Sequence, residues 1–236
     1  MRELPDRLQE QLRDQFDSRV AFDPLERMFY SHDMGSLPSL VKPMLGDTLP
    51  AGVVQPLTEE QVIGLAVLAR THGIPLVPRG KSTSGYGGVV PVKGGLVVDF
   101  AWMNQILNID AEAMTATVQP GVVWEQLESV LNKQGLALRT YPSSAPSSTV
   151  GGWLAQGGLG FGSYEFGEFH KNVISCRAVL PSGEVREFKG DSLDLIRDAE
   201  GTTGLITEVT ICVREFEPEV LWGAQFSTAS HLARAI

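Results

Sequence analysis

Apolar residues first recur at helical spacing in Leu4, Leu8, Leu12 and Phe16, which predicts an amphipathic helix over 4–16. The stretch Ser31 to Pro56 then loses periodicity, broken by Gly35, Pro38, Pro43, Gly46, Pro50 and Gly52, and reads as a leader wrapped onto a domain that begins near Val53. Regular alternation follows. Thr58 and Gln61 have capping-box spacing ahead of Val62, Leu65, Leu68 and Ala69, and Gly73 is placed to close that helix in the left-handed conformation. Ile74 to Val77 and Gly95 to Phe100 read as strands, parallel if a crossover joins them. Thr115 to Gln119 is a third strand, a helix carries Trp124, Leu127, Val130 and Leu131 as far as Gly135, and Leu136 to Thr140 follows as a further strand.

The second half has a different texture. Tyr141 to Gly167 is rich in Pro, Ser and Gly, with a short helix expected around Gly152 to Gln156. Val173 to Leu180 and Glu184 to Phe188 flank Pro181-Ser182-Gly183, a hairpin signal. A short helix over Ser192 to Ala199, a long strand over Leu205 to Arg214, a segment from Glu219 to Phe226 and a helix from Thr228 complete the reading. The expected class is α+β, with a small βαβ-like first subdomain (50–140) and a mixed or antiparallel second one (141–218), preceded by the 1–49 leader.

Composition narrows the function. A net charge of -9 disfavours general nucleic-acid binding, so any phosphate must be held locally by backbone amides and a few cations. Cys176 and Cys212 lie in apolar runs and read as buried thiols. No C-x-x-C or Cys/His cluster offers a zinc or iron–sulfur site, so no metal is expected. No apolar run is long enough to span a bilayer and Met1 to Val20 lacks a signal-like apolar core, which makes the cytoplasm the default expectation.

The chemistry concentrates in Pro78-Arg79-Gly80-Lys81-Ser82-Thr83-Ser84-Gly85-Tyr86-Gly87-Gly88. A Walker A loop is excluded because its opening glycine would fall on Pro75, and glycines and a proline fill Ser84 to Gly95 where a helix should start. A Rossmann fingerprint is excluded because Gly158-Leu159-Gly160 has Ser163 in place of its last glycine. There remains a loop whose successive N–H groups cup a pyrophosphate, with Arg79 and Lys81 offsetting charge. In isolation the segment is equally an ordinary surface turn. Two further small-residue stretches accompany it: Thr149-Val150-Gly151-Gly152-Trp153, continuing to Gly167, and Glu200-Gly201-Thr202-Thr203-Gly204-Leu205-Ile206-Thr207.

Pro78 to Gly88, Gln119 to Val122, Thr149 to Trp153, Phe166-Gly167 and Glu200 to Glu208 together resemble, in order and spacing, the FAD-binding domain of the vanillyl-alcohol oxidase / p-cresol methylhydroxylase type. Within it the chain is most similar to glycolate oxidase and D-lactate dehydrogenase flavin subunits, over Pro50 to Pro218. The resemblance implies that Gly80 to Ser84, with Gly87, wraps the FAD pyrophosphate and that Pro120 and Gly121 lie along the adenosine half. It further implies that Thr149 and Gly152 approach the flavin, that Ile206 offers its backbone to the adenine, and that Glu200 and Gly204 shape the same pocket. Thr83 stands where covalent members carry a histidine, so non-covalent FAD is expected. Lys81 replaces a small residue, which either adds a phosphate contact or crowds the loop. Trp153 replaces an asparagine of the glycolate-oxidase branch and is similar instead to the alkylglycerone-phosphate synthase branch.

By the same resemblance, a C-terminal cap domain holding the substrate and the proton acceptor starts near Glu219 and is cut off at Ile236. The chain is therefore expected to be a fragment, or a subunit completed by a cap or iron–sulfur partner. The leading expectation is oxidation of a small 2-hydroxy acid. The alternatives are alkylglycerone-phosphate-synthase-like chemistry and a non-catalytic flavin module within an electron-transfer complex. No catalytic residue is named. His72 closes a helix, His32 lies in the leader and His231 in the tail, and His170 is expected to pack rather than react.

Overall fold

The computed structural model describes residues 3–35, 40, 42–218, 220 and 222–235. Helix α1 (Asp6–Phe16) buries Leu8, Leu12 and Phe16, the face that its spacing predicts. Strand β1 (Val20–Ala21) and the short helix α2 (Pro24–Met28) follow, the latter started by Asp23, whose carboxylate accepts from the N–H groups of Leu25 and Glu26. After α3 (Lys42–Leu45) come β2 (Gly52–Val54), α4 (Glu59–His72), β3 (Leu76–Arg79) and β4 (Leu96–Asp99). Thr58 caps α4 by accepting from the Gln61 N–H, but the Gln61 side chain reaches Leu57 N–H rather than closing the box on Thr58. Gly73 ends α4 at φ 62°, as its position requires.

The first sheet runs β1-β2-β4-β3, with β2, β4 and β3 parallel and β1 antiparallel at the edge. Alternation sorts its valines by face. Val54, Leu96 and Val98 meet α1 and α4, whereas Val53 and Val97 face the other way, where Tyr30 of the leader covers them.

The second sheet is antiparallel. It takes β5 (Ile106–Asp110), β6 (Thr115–Val118), β7 (Leu136–Leu138), β8 (Val173–Val179), β9 (Val185–Lys189) and β10 (Leu205–Glu215) in the order β5-β6-β10-β8-β9, with β7 also on β10. The strands at Thr115 and Leu136, grouped by sequence with the first subdomain, thus pair in the second sheet. The eleven-residue β10 is long enough to pair with β8 at one end and with β6 and β7 at the other. Helices α5 (Trp124–Asn132), α6 (Val150–Gln156) and α7 (Ser163–Phe166) are carried on this half. The helix expected over Ser192 to Ala199 is a 3-10 turn at Gly190–Leu195.

Among the described residues two large apolar cores result, beside the small cluster of Ala21, Val53 and Val97. Val179 and Leu205, from the second sheet, are buried in the first core, which joins the halves. A hydrogen-bonded latch reinforces the junction: Glu59, opening α4, accepts from Arg177 at 2.7 Å and from Thr207 at 2.6 Å. The expected start of a further segment at Glu219 lies outside the described residues. Beyond it α8 (Ala229–Ala235) forms, with no buried residue. Among the described residues no helix is long and apolar enough to cross a membrane.

Candidate functional site

Parallel strands leave their connecting loops at one end of a sheet, and in α/β arrangements that end is where ligands gather. Here β3 delivers Gly80 to Gly88 and β4 delivers Phe100 to one side of a cleft. The second half supplies Pro120, the start of α6 and the Glu200-to-Ile206 segment entering β10. The cleft encloses about 890 Å³ including its open mouth.

Close approach explains the small residues. A side chain on Gly80 would meet Thr149 Oγ1 at 2.5 Å, so the start of the loop lies directly on the residue capping α6. A side chain on Gly88 would overlap the Glu200 carboxylate, and one on Gly151 would strike Pro120. Thr149 is buried and its hydroxyl accepts from the Gly152 N–H at 3.2 Å. The Val150 and Gly151 N–H groups are likewise taken, by the carbonyls of Val122 and Pro120.

The loop is different. Among the described residues, the N–H groups of Lys81, Ser82, Thr83 and Ser84 make no hydrogen bond within the protein. Ser82 bends the chain at φ 57°, a left-handed residue of the kind that builds anion-binding nests. Its hydroxyl and that of Ser148 are buried without a partner among the described residues, and both residues line the cleft. Buried polar groups are normally satisfied, so this concentration of unspent donors fits an anionic, polar ligand group such as a pyrophosphate.

Of the residues singled out in the sequence, Arg79, Gly80, Lys81, Ser82, Thr83, Ser84, Pro120, Thr149, Gly152, Glu200, Gly204 and Ile206 line this one cleft. Gly87 and Gly121 do not. The Gly87 N–H donates to Asp33 at 2.7 Å, outside the cleft. Gly121 is a packing glycine, buried against the carbonyls of Phe100 and Met103, with its own N–H bonded to Met103.

Arg79 also has a different task from the one its charge suggests. Its guanidinium donates to the carbonyls of His32 at 2.9 Å and Phe29 at 3.4 Å, and it sits 5.1 Å over the Tyr30 ring. Burial pulls the guanidinium below its ordinary value, against the nearby Asp99, Tyr30 and Asp33. Tyr30 in turn donates to buried Asp99 at 3.0 Å, and burial followed by that carboxylate pushes the phenol from 10 up to about 12. Lys81 is exposed and remains the cation at the rim of the cleft. Sequence reasoning missed Phe100, Ser144 and Ser148, and quoted Gly151 only as part of the Thr149 to Trp153 stretch; the Ser-rich run before Thr149 was the available signal for the two serines.

Among the aromatics, Trp153 is buried, lines the cleft and stacks on Phe169 at 4.6 Å, whereas Tyr86 and Tyr164 are exposed and stand outside it. His170 pairs with Glu168 at 3.1 Å, away from the cleft residues.

Comparison with known proteins agrees with this geometry. The family described as FAD binding domain matches residues 50–189, more than half of the chain. Glycolate oxidase subunit GlcD of Bacillus subtilis (strain 168) is 34% identical over 173 residues, 70% of this chain and 37% of that protein. The mitochondrial D-lactate dehydrogenase [cytochrome] of Arabidopsis thaliana is 31% identical over 219 residues, 89% of this chain and 37% of that protein. Alkyldihydroxyacetonephosphate synthase of Dictyostelium discoideum is 32% identical over 228 residues, 91% of this chain and 37% of that protein. A solved alkyldihydroxyacetonephosphate synthase superimposes with a TM-score of 0.81 at 30% identity, over 90% of this chain and 44% of that one. The chain thus spans little more than a third of the length of these curated relatives.

Proposed function

We propose, from the premise that this chain belongs to the FAD-binding domain family, that its cleft holds FAD without a covalent bond, in an oxidoreductase acting on a small 2-hydroxy acid. The observation that carries the reading is the row of unspent N–H groups from Lys81 to Ser84, beside the unpartnered hydroxyls of Ser82 and Ser148. In this reading those groups hold the pyrophosphate, Lys81 offsets part of its charge, and Gly80, Gly151 and Gly152 keep side chains out of its way. Pro120, Gly204 and Ile206 flank the adenosine half, while Thr149 and Trp153 stand toward the flavin. Bound FAD supplies the redox chemistry itself by accepting a hydride equivalent.

Thr83 supports non-covalent binding, since a hydroxyl has no ring nitrogen to link to a flavin. Acid precipitation of the FAD-loaded chain is expected to leave all the flavin in the supernatant; yellow pellet would overturn that point. Among the described residues lining the cleft, the titratable side chains are Arg79, Lys81 and Glu200. None is a histidine, Arg79 is committed to the leader, and the Glu200 carboxylate lies against Gly88 of the loop that holds the pyrophosphate in this reading, so the proton acceptor is assigned to a cap domain or partner subunit.

Glycolate oxidase and D-lactate dehydrogenase among the relatives support the 2-hydroxy acid. Trp153, in the wall of the cleft, favours a second reading, alkyldihydroxyacetonephosphate-synthase-like chemistry without net oxidation. Anaerobic mixing of the holoprotein, together with any subunit that co-purifies, with glycolate and with D- and L-lactate separates them. Flavin bleaching supports the first. Unbleached flavin with exchange of an acyl for an alkyl group on dihydroxyacetone phosphate supports the second and overturns the first. Failure in both assays leaves only a flavin-binding module that acts through its partners.

A further inference from the structure

The leader touches the glycine-rich loop at both ends and at its middle. At the start of the loop, Arg79 Nη1 donates to His32 O at 2.9 Å. In the middle, Met34 N–H donates to Ser84 O at 3.2 Å. Near its end, Asp33 Oδ2 accepts from Gly87 N–H at 2.7 Å, while Asp33 Oδ1 accepts from Gly35 N–H at 2.7 Å. A side chain on Gly35 would meet Gly85 O at 2.5 Å, so the two backbones run in contact. On the leader side none of these residues lines the cleft, nor does Gly87, whereas Lys81 to Ser84 line it with amides that have no partner among the described residues.

We infer that Asp33 is a positioning residue for the flavin-nucleotide site, and that the leader from Phe29 to Gly35 is a strap holding the phosphate loop in its binding shape. The inference rests on the reading of the cleft as an FAD site. Its physical basis is entropic. Gly80 to Gly88 contains four glycines, the residue that loses the most backbone freedom on ordering. A loop already fixed by other contacts does not incur that cost when the ligand arrives, and affinity rises accordingly. Asp33 holds two backbone amides with one half-buried carboxylate, and charge-assisted bonds of this kind are the stronger ones. It touches none of the cleft, so its effect on the ligand is indirect.

The test is FAD affinity of the 236-residue chain, read by quenching of flavin fluorescence, beside the thermal midpoint of the FAD-free protein and amide exchange at Gly87. Asp33→Ala is expected to raise the FAD Kd about tenfold, the loss of one charge-assisted bond. Gly87 exchange should accelerate, while the midpoint of the FAD-free protein moves by no more than about 4 °C, a shift equivalent to one such lost contact. Asp33→Asn, which keeps the shape and an acceptor, is expected to fall between, and it decides the matter should the alanine variant not fold. Unchanged Kd in Asp33→Asn and Asp33→Ala overturns the strap alone. An equal fall in midpoint and affinity with Gly87 exchange unchanged assigns Asp33 to general stability and overturns it too. A wild-type chain that takes up no FAD overturns the flavin reading first, and with it this role.

Discussion

Gly80 sits where any Cβ would displace the Thr149 hydroxyl, itself the cap of α6 and a wall of the cleft. Gly80→Ala is therefore expected to weaken FAD binding by tenfold or more and to cost about 1–2 kcal/mol through the lost cap. Equilibrium binding and urea denaturation check the two effects separately. Cys176 is buried on β8, and burial, followed by the Glu208 charge, pushes its thiol from 9.0 up to about 12. Thiol reagents at neutral pH are expected to modify at most the half-buried Cys212 in the folded chain, with Cys176 reacting only on unfolding; mass spectrometry of the labelled protein reads this directly. At this scale the sequence named most of the residues that the fold gathers in one cleft, but not every contact they make. Small residues at Gly80, Ser82 and Thr149 announced close backbone approach. That Arg79 would turn away to the leader, and that Gly87 would give its amide to Asp33, depended on a partner segment some fifty residues earlier, which no local pattern encodes.

Long periodic elements were legible: α1, α4 with its Gly73 terminus, the β8–β9 hairpin around Pro181-Ser182-Gly183, and β10 lie where their patterns place them. The short ones were not. Two or three residues at β1 and β2 carry too little alternation to register, and β5 contains Asn108 and Asp110, poor strand formers. Sheet membership was equally hidden, since the strand that ties both the β5–β6 pair and β7 into the second sheet is β10, after residue 204. One element-level contact has a pH signature. Burial works to raise the Glu59 carboxyl, but the hydrogen bonds from Arg177 and Thr207 and the Arg177 charge bring it below 4.5 overall. A depressed carboxylate stabilises the fold above its unfolded value and loses that contribution as pH falls through its folded one. Neighbouring Glu208, raised by burial, has the opposite sign. Glu59→Gln is expected to cost about 1 kcal/mol at pH 7, a partly screened pair, and much less at pH 3. Equal losses at both pH values would contradict the latch.

Across the whole molecule, an acidic chain of net charge -9 presents a cleft whose unspent donors are mainly neutral, with Lys81 as an accessible cation at its rim. Such a site is set by the relative placement of two cores, because β3 and β4 bring one wall and α6 and β10 the other. Lys81→Ala is accordingly expected to reduce FAD affinity by only about threefold, and to flatten its salt dependence, because the N–H groups remain. Salt titration of the variant checks this. The most direct measurement of the central claim is a titration of the purified chain with FAD, followed by flavin absorbance and fluorescence. One equivalent bound, displaced in competition by ADP and released by acid, is the predicted result. Flavin that stays free at every concentration, or that binds equally well after Gly80→Ala and Ser82→Ala, would contradict the account.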